Sequence, residues 1–143
     1  TKEQLMKKTL IAATLAFSTF AAYADNSNVT LIVNSESTMT QGMAMVLANK
    51  MLEQGDSVSI LLCDKAGDLA LKNNSGKALK PANATPGQMM DGAMKKGAKV
   101  AVCALYLPNS GNAPDNLKDN VTPAKPDAMA KQLMEPNRKV ISF

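Results

Sequence analysis

"DSVSILLCD", residues 56–64, is almost continuously apolar at its centre and ends in a cysteine and an aspartate. A strand with one wet face alternates polar and apolar residues. A run without that alternation belongs to a strand covered on both faces, as in a parallel sheet flanked by helices. The flanking segments fit that reading. "ESTMTQGMAMVLANKMLEQG" (36–55) precedes it, with Met43, Val46, Leu47, Lys50 and Met51 at helical spacing. Thr38 or Thr40 offers an N-cap there, and Gly55 supplies the stop. Further upstream, "NVTLIVNS" (28–35) is another β-branched, aliphatic run closed by Asn-Ser.

Downstream, residues 65–84 are irregular, with one short helical turn around Asp68–Leu71. "TPGQMMDGAMKKG" (85–97) reads as a helix. Thr85 is its cap, Pro86 takes the first position, Met89, Met90, Ala93 and Met94 face inward, and Gly97 ends it. "AKVAVCALYL" (98–107) is the third strand, "PDAMAKQLME" (126–135) a further helix and "RKVISF" (138–143) a terminal strand. Strands alternating with helices imply right-handed crossovers. The expected fold class is therefore α/β: one domain, a mostly parallel sheet with helices on both faces, a flavodoxin-like three-layer arrangement.

The N-terminal stretch is read separately. Met6 starts a "MKK" head, followed by the apolar run "TLIAATLAFSTFAA" and then "AYA" before Asp25. That is the pattern of a secretory signal peptide, with Ala22 and Ala24 as the small residues and cleavage after Ala24. The run is short for a span and carries Ser and Thr, which argues against a membrane anchor. Residues 1–24 are thus expected to be upstream sequence plus a cleaved signal, and 25–143 the domain of a periplasmic protein with no membrane attachment after cleavage. Three of the sixteen Lys/Arg and one of the twelve Asp/Glu lie in residues 1–24, so the domain carries a net charge of only +2. Its lysines are scattered and its aromatics few, so no nucleic-acid partner is expected.

Histidine is absent from the whole chain. This excludes Ser-His-Asp and Cys-His nucleophile systems and His-ligated zinc. The stretch after the first strand, "NSESTMTQG", has neither a Gly-x-Gly-x-x-Gly nor a Gly-Lys-Ser/Thr pattern, so nucleotide binding has no motif, and no cofactor is expected. Ligands of open parallel sheets bind at the carboxyl ends of the strands. That places Asn34, Ser35, Glu36, Cys63, Asp64 and Cys103 near one edge.

The two cysteines carry the chemistry. An exported chain with two cysteines suggests a disulfide. If the first strand lay between the second and third, however, Cys63 and Cys103 would stand two strand spacings apart, about 9.6 Å, too far to bridge. The other readings are a reactive Cys103 thiolate, a buried core thiol, and a soft-metal site of Cys103, Cys63 and Met39. Nine methionines lie in the domain, and Met43, Met51, Met89, Met90 and Met94 are expected to fill its core.

The segments "VTLIVNSES", "AMVLANKMLEQGDSVSILLCDKAGDLAL", "TPGQMMDGAMKKGAKVAVCALYLPNSG" and "KVISF" together resemble the DsrE/DsrF-like family. The most telling part is Gly97, Val100, Val102 and Cys103, followed by Gly111. The resemblance implies that Cys103 carries sulfur as a persulfide between a donor and an acceptor protein, as a carrier or sulfurtransferase-type relay. It also implies a homo-oligomer, a trimer or hexamer. Cys63 has no counterpart in the family motif. On this reading Asn34, Ser35, Glu36 and Asp64 assist Cys103. A non-catalytic binding module and a scaffold subunit are the alternatives. The carrier reading requires an accessible Cys103 sulfur not bonded to Cys63.

Overall fold

The computed structural model of the chain describes residues 25–143; the expected signal segment, residues 1–24, lies outside the described residues. Five parallel strands form one sheet: β1 (Asn28–Val33), β2 (Ser57–Leu62), β3 (Lys99–Val102), β4 (Val121–Pro123) and β5 (Arg138–Ser142), in the order β4-β3-β2-β1-β5. The helices are α1 (Thr38–Glu53), α2 (Pro86–Lys95), α3 (Tyr106–Ser110) and α4 (Pro126–Leu133), with 3-10 turns at Asp64–Ala70 and Pro114–Asn116. The α/β class, the parallel sheet and the single domain are as the sequence implies.

The topology follows from handedness. From β1 to β4 each strand is added towards the same edge, so right-handed crossovers put α1 and α2 on one face, where they pack together. The link from β4 to β5 runs back across the sheet, which carries α4 to the other face. There the buried Thr30 hydroxyl donates to Gln132 of α4 at 3.2 Å.

The main core lies between the sheet and the α1/α2 layer. Alternate strand residues Val29, Leu31, Val33, Val58, Ile60, Leu62, Val100 and Val102 meet Ala44, Met45, Ala48, Met90 and Ala93, all buried. The caps of α2 match expectation. Thr85 accepts from Gln88 N–H while the Gln88 side chain accepts from Thr85 N–H, Pro86 opens the helix, and Gly97 follows at φ +104°. Ser37, rather than Thr38 or Thr40, caps α1 by accepting from Thr40 N–H. The ends of the two helices are tied by Glu53, which receives both Lys50 and Lys96 at 2.7 Å. Those hydrogen bonds lower its pKa to about 2.

Three expectations need correction. The inward face of α1 is Gln41, Gly42, Ala44, Met45 and Ala48, whereas Met43, Val46 and Leu47 point outward. The helix is apolar nearly all round, so spacing alone did not select a side. The small residues win the inner face because they let α1 approach the sheet, α2 and Leu79, which rests on Gly42. Second, the third strand ends at Val102, and Tyr106–Ser110 is helical. Third, β2 and β3 are neighbours, and β1 does not lie between them. This last difference decides the chemistry of the cysteines.

Candidate functional site: a cysteine pair at the strand ends

Leu62 and Val102 are register partners across β2 and β3, so the residues that follow, Cys63 and Cys103, emerge side by side. The sheet ladder continues through both. Cys63 N–H donates to Val33 O at 3.0 Å and Cys103 N–H to Leu62 O at 2.7 Å. Their Cα atoms stand 5.2 Å apart and the two sulfurs are bonded as a disulfide. Among the described residues there is no free cysteine. The separation of about 9.6 Å argued from a 2-1-3 order is thus overturned, and with it the expectation of an unbonded Cys103. The bridged protein fails the requirement set above for a sulfur carrier, and only a reduced form meets it. Both cysteines are half-exposed at the carboxyl rim of the sheet and so are not sealed in the core.

A cleft of about 350 Å³ opens beside the pair, lined by Cys63, Asp64, Lys65, Asp68, Leu105 and Tyr106. Asp64 takes φ +51° and starts the 3-10 turn that brings Asp68 back towards α3. The Asp68 carboxylate accepts the Tyr106 hydroxyl at 2.7 Å. Tyr106 is buried, its N–H donates to Cys103 O at 3.0 Å, and its ring rests on Gly67. Burial, then the Asp68 carboxylate, hold its phenol well above the usual range, so it stays protonated. Leu105, by contrast, is 70% exposed at the lip. Cys63 lines the cleft and Cys103 does not.

The other expected site residues are distributed unevenly. Asp64 joins Cys63 in the cleft. Glu36 lines a second recess of about 230 Å³, which shares Lys65 and Asp68 with the first. Asn34 donates its N–H to Phe143 O at 2.9 Å, and the Ser35 hydroxyl accepts from Ser37 N–H, so both serve the turn after β1. Met39 sits in the first turn of α1, 75% exposed, and lines neither recess. The bonded sulfurs are not thiolate ligands, and the described residues hold no cluster of three Cys, Asp or Glu suited to a metal ion. Sequence reasoning missed Tyr106, Asp68, Lys65 and Leu105. Tyr106 and Leu105 were hidden inside an apolar run that read as strand.

No family model matches the chain, and no curated protein matches it either. Solved structures do. The chain is similar to the YchN protein of E. coli, with a TM-score of 0.67 at 16% identity over 82% of this chain and 99% of that one. It is also similar to MTH1491 of Methanobacterium thermoautotrophicum, a protein of unknown function, with a TM-score of 0.61 at 11% identity over 83% of this chain and all of the other. At these identities the likeness speaks for the architecture, and the architecture is the DsrE-like fold.

Proposed function

We propose that the chain is an exported sulfur carrier of the DsrE-like type, worked through Cys103 after the Cys63–Cys103 bridge is reduced. The observation that carries this reading is the pair itself: two half-exposed cysteines, side by side at the strand ends, next to a cleft. The bridged form is the resting state. A dithiol reductant takes the bridge to two thiols and is itself oxidised to a disulfide. The Cys103 thiolate then attacks the outer sulfur of a donor persulfide or polysulfide, which leaves as a thiolate one sulfur shorter. An acceptor thiolate takes that outer sulfur in turn, releasing Cys103 as a thiolate. Asp64, which shares the cleft with Cys63, is assigned the proton in this reading. Export is supported by the signal-like segment and by the disulfide, a bond that persists in oxidising compartments. A homo-oligomer is part of the proposal, supported by the outward apolar residues of α1.

The test is mass spectrometry of reduced, desalted protein after exposure to polysulfide. Reduced protein is expected to gain about 32 Da on Cys103. Oxidised protein and a Cys103→Ser variant should gain nothing there. Absence of the adduct on folded, reduced protein would overturn the carrier reading.

A second reading is favoured by the bridge joining neighbouring strands: a structural disulfide in a scaffold or binding module. It expects no adduct, and it expects reduced protein to lose its near-UV circular dichroism.

A further inference from the structure

The two cysteines of the bridge are equally half-buried but stand differently towards the cleft. Cys63 forms part of the wall of the 350 Å³ cleft, and Cys103 lies outside that wall. Thiol–disulfide exchange requires the incoming thiolate to reach one particular sulfur, and the sulfur it does not reach becomes the leaving group. From this asymmetry we infer that the cleft is the docking site of a dithiol reductant protein, which attacks Cys63 and releases Cys103 as the thiolate. The inference rests on the sulfur-carrier reading for its purpose, since it supplies the step that frees Cys103.

The chemistry balances within the two proteins. A partner thiolate forms a bond to Cys63 Sγ while the Cys63–Cys103 bond breaks, and the electron pair leaves on Cys103 Sγ. The partner's second thiolate then attacks its own sulfur in the mixed disulfide and expels Cys63 as a thiolate. The partner ends as a disulfide, the pair as two thiols after uptake of the partner's two thiol protons, and two electrons have moved. A monothiol stops at the mixed disulfide unless a second molecule follows, which favours a partner carrying both thiols.

The lip of the cleft supplies the argument for a protein. Leu105, two residues after Cys103, is 70% exposed at the entrance. An exposed aliphatic side chain gives a hydrophilic small thiol little to hold, but it matches the apolar surround of a protein active site. Lys65, Asp64 and Asp68 line the same opening, so it carries both signs of charge and does not select for a strongly anionic thiol.

The experiment uses the oxidised protein, residues 25–143, and thioredoxin keeping only the first cysteine of its Cys-x-x-Cys motif, which traps the mixed disulfide. Peptide mapping is expected to find the partner on Cys63, with Cys103 free to be alkylated. Intact thioredoxin should reduce wild type at least fivefold faster than Leu105→Ser, whose exposed position leaves the core unchanged. Equal concentrations of glutathione should be slower and indifferent to that substitution. A cross-link on Cys103, no cross-link, or equal rates for wild type and Leu105→Ser would each overturn the inference. Chemically reduced protein given polysulfide scores the carrier reading separately, because that loading bypasses the cleft.

Discussion

Tyr106 shows how one side chain joins the core to the rim. Its ring closes the space above Gly67, its hydroxyl holds Asp68, and its backbone is bonded to Cys103. A β-carbon at residue 67 would run into the ring, so glycine is required there by close approach. Gly67→Ala is expected to destabilise the protein by about 1–3 kcal/mol, the usual cost of overpacking. Urea unfolding measures that loss. The same substitution should raise the rate at which iodoacetamide labels reduced Cys103, because a displaced Tyr106 loosens the start of α3. None of this was readable from "CALYLPNSG". The apolar run continues from β3 without a break and Tyr favours strands locally, whereas in the fold Tyr106 begins a helix whose ring and hydroxyl meet Gly67 and Asp68.

Among the elements, the caps and stops were legible because they are local. Thr85, Pro86 and Gly97 act on backbone groups within a turn of themselves, and the structure uses all three as expected. β1 and β2 were legible as apolar runs, but β4 was not, since "VTP" is too short to show a period. Which residues of α1 face inward was also hidden, because its methionines, valine and leucines surround the helix. The disulfide acts at this scale too, pinning β2 to β3 at their carboxyl ends across a sequence separation of 40. Replacing both cysteines with serine should lower stability by about 2–4 kcal/mol, mostly by freeing the unfolded chain. Thermal unfolding of the double variant beside oxidised wild type checks this. A fall larger than that range would indicate that the bridge holds native packing as well.

For the molecule as a whole, the order of the strands was the decisive fact that the sequence left open. No residue encodes adjacency by itself. Both 2-1-3 and 3-2-1 orders satisfy the same helix and strand patterns, and they give opposite answers for Cys63 and Cys103. The outer surface of α1 matters at the same scale. Met39, Met43, Val46 and Leu47 form an exposed apolar stripe, with Met43 56% exposed. Contiguous surface of this kind marks association sites. Met43→Glu is expected to move the protein from the proposed oligomer to a monomer in light scattering, with melting by circular dichroism changed little. An unchanged mass would leave the stripe without that role.

The pairing of β1 with β5 has a consequence for how the molecule comes to exist. Arg138 of β5 reaches Thr30 of β1 across 108 positions, so the first strand waits for nearly the entire polypeptide before one of its two edges is satisfied. Closure of so distant a contact is slow, because loop entropy is lost before the pairing rewards it. The sheet of such a chain is completed last at its β5 edge, and until then β1 presents unpaired backbone groups on that side.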